Sequence, residues 1–187
     1  PEFAGFLGNN ALTGADVGDA LIVGSVPEPT PEGSLVSDGQ TNVLLDTALL
    51  GTVGVSIAGV SADVIAPGDL GAGSVAFPIN GRSSANPTTF FYEPATLAPF
   101  GGAIEHIGVL DLDASGAPVS VGNFTIGFDG NRAVGNASGF FVESTFTGTN
   151  GVAAILFDVA APSGLTAQAD ALSITADLLI SPEFANF

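Results

Sequence analysis

Among its 187 residues the chain has no cysteine, no methionine, no tryptophan and a single histidine, His106; its two cations are both arginine, Arg82 and Arg132, so lysine is absent as well. Each gap closes a chemistry. Without cysteine there is no disulfide, no thiolate metal ligand and no thiol nucleophile. One histidine cannot make a multi-histidine metal centre. Without lysine there is no Schiff base, no phosphate-loop ammonium and no amine for an isopeptide crosslink. The lack of methionine leads us to expect a processed chain, the usual fate of a secreted protein. Charged residues are also scarce, at 11%, and 19 acids against two cations set the formal charge at -17. A field of that sign repels phosphate backbones and anionic lipid, so nucleic acid and membrane surfaces are not expected partners.

Hydrophobic residues make up 46% of the chain, enough to offset chain entropy and exclude general disorder. Gly 26 and Pro 12 make it dense in backbone breakers, which favours many short strands joined by turns over a helical bundle. The most apolar stretch, residues 47–62, is flanked by Asp46 and Asp63. It falls short of the roughly 20 residues that span a bilayer, so it reads as buried strand and no membrane insertion is expected.

Residues 1–40 differ from the rest. Pro27-Glu28-Pro29-Thr30-Pro31-Glu32-Gly33 reads as a stiff acidic spacer that tethers the apolar patch Leu21-Ile22-Val23 to a main domain over 41–187. Such a patch can pair within its own sheet or add to the sheet of a second copy. The first residues, Pro1-Glu2-Phe3-Ala4-Gly5-Phe6, nearly repeat as the last, Pro182-Glu183-Phe184-Ala185-Asn186-Phe187. This match makes Phe3, Phe6, Phe184 and Phe187 candidates for a subunit junction. Ser181, Pro182 and Glu183 supply a cap, a first-turn proline and a favourable charge for a short terminal helix.

In the main domain the apolar period is two. Val55 and Ile57 lie on one parity and Val60, Ala62 and Val64 on the other, so a bulge is expected near Ala58-Gly59; the same slip recurs at Gly122-Asn123. Gly148-Thr149-Asn150-Gly151 separates two alternating runs as a hairpin turn would, and Leu172, Ile174, Ala176, Leu178 and Ile180 form the clearest strand. The expected fold is all-β: a β-sandwich or jelly-roll-like domain with an extended N-terminal arm and a short terminal helix.

Asp111-Leu112-Asp113-Ala114-Ser115-Gly116 has the spacing of the first half of a calcium loop, which makes Asp111, Asp113 and Ser115 candidate ligands for calcium. The twelfth position is Gly122 where an EF-hand needs a glutamate, so the oxygens would have to come from elsewhere; a plain acidic turn is the competing reading. His106, with no partner motif, reads as a hydrogen-bonded core residue, and Arg132 as a structural cation paired to an acid. Asp46-Thr47 lacks the following glycine and the second copy that an aspartic protease requires. Glu93, Glu105 and Glu143 are the eligible glycosidase acids, but no pair is singled out, and no catalytic residue is expected. Phe90, Phe91 and Tyr92 sit in a long loop, either as an aromatic plug or as a platform for a glycan.

Asn123-Phe124-Thr125-Ile126-Gly127-Phe128-Asp129 and the tail Asp177-Leu178-Leu179-Ile180-Ser181-Pro182-Glu183-Phe184 resemble secreted extracellular β-proteins of cyanobacterial type. The resemblance covers the C-terminal third, carries no catalytic motif and implies an extracellular or cell-surface location. Together these readings lead to a non-enzymatic secreted subunit that self-assembles with copies of itself into a filament, tube or sheath by strand or arm exchange. The alternative is a carbohydrate-binding or adhesive β-module of a larger surface protein.

Overall fold

A computed structural model of the chain describes residues 12–26, 29–30 and 33–186. In chain order the strands are β1 (Asp16–Ser25), β2 (Pro29–Thr30), β3 (Gly33–Leu35) and β4 (Asp38–Leu45), then helix α1 (Thr47–Thr52). There follow β5 (Val55–Val60), β6 (Val75–Pro78), β7 (Phe91–Glu93), β8 (Leu97–Gly101), β9 (Ile104–Glu105), β10 (Val109–Ala114), β11 (Ala117–Gly122) and β12 (Phe124–Phe128). The last are β13 (Ala137–Ser144), β14 (Ala154–Ala160), β15 (Gly164–Ala167), β16 (Ala171–Ile180) and helix α2 (Pro182–Ala185). The all-β class expected from the turn density and the period of two is the class observed.

The main sheet runs β6-β4-β1-β16-β14-β13-β12-β9, antiparallel throughout, with β15 also on β16. This sheet curls until its ends meet. Ile79, just past β6, bridges to His106, just past β9; the Asn80 amide donates to Glu105 O at 2.7 Å and the Ile107 amide to Pro78 O at 3.1 Å. A sheet closed in this way has no long bare margin along its main path. Two smaller sheets, β11-β10-β5 and β2-β3-β7-β8, fill it from either side. Leu110, Leu112, Val119 and Val121 of the first share a core with Ala20, Ala176 and Leu178. Tyr92 and Leu97 of the second pack with Ile22, Ile126, Leu172 and Ile174. The alternation of β1 and β16 thus serves two cores, one at each end of the strands.

Both expected slips of parity are present. Ile57 pairs with Leu112 but Gly59 with Asp111, leaving Ala58 as the extra residue of a bulge. At Asn123, which has a left-handed φ of 48°, the chain leaves β11 in the three-stranded sheet and enters β12 in the main one. The hairpin of β13 with β14 and the strand over 171–180 also form as expected.

Three expectations need correction. Residues 47–62 are not one strand, because the Asp46 carboxylate accepts from the Ala48 amide at 3.0 Å and the Leu49 amide at 2.9 Å and so starts α1. Gly54, at a φ of 77°, then turns the chain into β5. The patch Leu21-Ile22-Val23 is not tethered at arm's length: β1 is hydrogen-bonded to β16 on one side and β4 on the other, with Ile22 opposite both Ile174 and Thr41. A strand completed on both sides has no edge to lend to another copy. The boundary placed between residues 40 and 41 falls inside β4, and part of the expected spacer, Pro29–Thr30, pairs with β3.

Candidate functional site

The calcium-loop motif folds as a hairpin. β10 and β11 are joined by Ser115-Gly116, both with positive φ, 52° and 90°, the signature of a two-residue type I′ turn matched to strand twist. Asp111 and Asp113 alternate with the buried Leu110, Leu112 and Ala114, so both carboxylates point away from the core. Each already holds a donor: Ser120 Oγ donates to Asp111 at 2.6 Å, and the Gly116 amide to Asp113 at 2.8 Å, closing the turn. Ser115 Oγ faces Gly54 O on the β5 side at 3.5 Å, whereas the partner of Asp111 lies on β11. The oxygens of the three residues are thus each engaged within the hairpin or with Gly54. Among the described residues, no group of three or more His, Cys, Asp or Glu side chains is placed to hold a metal ion.

His106 is a fully satisfied core histidine, as its isolation suggested. Phe124 O, 2.9 Å from Nδ1, can only accept, so Nδ1 carries the proton; Nε2 is bare and accepts from Thr41 Oγ1 at 2.7 Å. Burial lowers its pKa to about 4, against a smaller upward pull from the Phe124 carbonyl, so the ring is neutral at physiological pH.

Phe91 and Tyr92 belong to β7, not to a loop, and Phe90 stands just before it. Phe90 and Tyr92 are 2% and 0% exposed, and Tyr92 Oη donates to Gln168 O at 2.6 Å. Burial raises the Tyr92 pKa, with hydrogen bonding to Ser34 opposing. Neither ring offers a face to a glycan.

Of the three glutamates, Glu105 and Glu143 flank Thr125 on neighbouring strands, about 10 Å apart by strand spacing, while Glu93 belongs to a different sheet. Glu105 accepts from Asn86 Nδ2 at 2.8 Å and Thr125 Oγ1 at 2.6 Å, and neither Glu105 nor Glu143 lines an interior cavity. Arg132, in the 3-10 turn Gly130–Arg132, finds two acids where one was expected. Its Nε meets Asp158 at 2.6 Å, and its two terminal nitrogens meet the Glu183 carboxylate at 2.7 and 2.9 Å. That bidentate bond is the largest influence lowering the Glu183 pKa and raising that of Arg132.

Of the expected junction residues, Phe184 is 3% exposed in its own core, against Phe157. Leu21, Ile22 and Val23 lie in β1, whereas Phe3, Phe6 and Phe187 lie outside the described residues.

Pattern reading missed the sheet margins, because a period of two marks a strand but not its place in the sheet. The four-stranded sheet ends in β2 and β8, which carry Pro29 and Pro99, and β11 carries Pro118 and is bridged at Ser120 by Gly151. Proline blunts an edge by removing a donor. β5 and β15 differ: among the described residues Val55-Ser56-Ile57-Ala58-Gly59-Val60 is laddered to β10 alone and Gly164-Leu165-Thr166-Ala167 to β16 alone, with Ala167 O at the end of β15 also accepting from the Ala95 amide at 2.6 Å, and neither strand contains a charge or a proline. Ser56, Ala58, Gly164, Leu165 and Thr166 are exposed. No family model, curated protein or solved structure matches the chain, so the candidate site rests on this geometry.

Proposed function

We propose that the chain is a secreted structural subunit that assembles with copies of itself outside the cell, the β5 margin of one copy pairing with the β15 margin of the next. One observation carries this reading: in a molecule of charge -17, the two margins without proline among the described residues are also without charge. Unpaired strand edges are templates for another strand, and proteins that stay single usually guard them with charge, proline or a bulge. β5 has a bulge at Ala58, which confines flat pairing to its first half, Val55 to Ile57. Main-chain hydrogen bonds supply the affinity and alternate side chains the register. Because the two margins differ, the contact is heterologous and need not close, so an open polymer follows. The net charge opposes approach, which makes assembly dependent on salt or divalent cations. The self-assembly reading is preferred to the glycan-binding alternative because Phe90 and Tyr92 of its platform are buried, with Phe91 half-buried.

Sedimentation velocity and negative-stain microscopy across protein and salt concentration test the proposal. Polymer is expected to grow with both, and Ala58→Lys or Leu165→Lys to abolish it while circular dichroism and melting temperature hold. A chain that stays monomeric at millimolar concentration in high salt overturns it.

A further inference from the structure

The inner faces of β1 and β16 meet at their middles in two alanines, Ala20 and Ala176, which stand directly opposite each other in the register. Both are buried. The three-stranded sheet presents Leu112 and Val121 toward the same interior, and α2 contributes Phe184. Ala20 and Ala176, with larger side chains of the main and three-stranded sheets, line an interior cavity of about 60 Å³.

The cavity is dry for a definite reason. A buried water needs two to four polar partners. Thr41 and His106 reach the border, but the hydroxyl donates to the imidazole and the imidazole to Phe124 O. Among the described residues, no buried side-chain nitrogen or oxygen lacks a partner. Lining atoms that face a void forfeit their dispersion contacts, and an apolar guest restores them without desolvating anything. Volume sets the class of guest. Water occupies about 30 Å³ in the liquid, and a dry cavity of about 150 Å³ takes benzene. At about 60 Å³ an aromatic ring or an acyl chain is too large, and a molecule of one or two heavy atoms fits.

We propose that the cavity over Ala20 and Ala176 is a binding site for one compact non-polar molecule of dissolved-gas size. This is independent of assembly through the strand margins, which lie on the outside.

Xenon is the probe, applied at several atmospheres to the full chain with ¹³C-labelled methyl groups. Saturable shift changes are expected at Ala20, Ala176, Leu112 and Val121, with none at Val36, which lies in the other core and lines neither interior cavity. Ala176→Val fills the space from the β16 side, and is expected to remove the xenon response and raise the melting temperature by a few degrees. If that variant packs poorly, Ala20→Val makes the same test from β1. Benzene is expected to leave the spectrum unchanged. Xenon shifts that grow linearly and spread over the whole molecule, or that survive in a folded filled variant, overturn the site; saturable benzene binding overturns its assigned size.

Discussion

The single histidine makes one consequence of the fold unusually clean to measure. His106 lies on the seam that closes the main sheet, 3% exposed, with both ring nitrogens engaged. Protonating Nε2 would turn the acceptor of Thr41 into a donor and bury a charge. A pKa of about 4 in the fold, against 6.5 ordinarily, corresponds to about 3 kcal/mol of preference for the neutral ring. The sign follows from proton uptake: between these values the unfolded chain binds the proton and the folded chain does not. The contribution is therefore intact above pH 6.5, lost as pH falls toward 4, and unchanged below that. By pH 4.5 about three-quarters of that contribution is lost. Urea unfolding between pH 7 and 4.5 measures it, and His106→Gln, which cannot titrate, should flatten the slope. One imidazole signal is expected in the NMR spectrum, with a midpoint near 4 and ¹⁵N shifts of the Nδ1-protonated tautomer. A folded-state midpoint near 6.5, or stability that does not change from pH 7 to 4.5, refutes the reasoning.

Arg132→Met leaves Asp158, 13% exposed, without its cation and cuts the tie that Glu183 gives α2 to the 3-10 turn. Because Glu183 is 44% exposed, solvent softens the loss, and about 2 kcal/mol in chemical denaturation is expected. Since the Arg132 contact lowers the Glu183 pKa, this contribution is present above the ordinary carboxylate range and is lost as pH falls through the lowered value; the variant should show a shallower acid limb. Asp46→Ala removes the acceptor for two amides at the start of α1 and should cost about 1 kcal/mol, whereas Asp46→Asn should retain most of it. Gly116→Ala strains the type I′ turn and should lower stability by about 1 kcal/mol. Millimolar calcium should leave the wild-type melting temperature unchanged; a calcium-dependent rise abolished by Asp111→Asn or Asp113→Asn would restore the motif as a metal site.

What could be read from the sequence is what short-range physics decides. Alternation over Leu172 to Ile180 gave β16, the parity slips at Ala58 and Asn123 marked a bulge and a change of sheet, and Ser181-Pro182-Glu183 announced α2. The stretch 47–62 was misread because its apolar content hides a helix start that depends on one carboxylate, Asp46. Leu21-Ile22-Val23 looked like a free patch because strand pairing is non-local: its partners, β4 and β16, lie about 20 and 150 residues away in sequence, and period alone does not disclose them. The calcium spacing and the hairpin make the same demand on sequence, acids followed by a glycine at a sharp turn, and the positive φ of Ser115 and Gly116 identifies the turn as type I′.

The neighbouring placement of β1 and β16 has a mechanical corollary. Asp16 stands opposite Leu179, and the Gly14 amide donates to Ile180 O, so the two outermost strands of the chain leave the sheet at the same end. Tension applied there would peel that ladder open one rung after another, the weakest way to load hydrogen bonds, instead of shearing all of them together. In the proposed fibre, load carried from margin to margin bypasses this ladder.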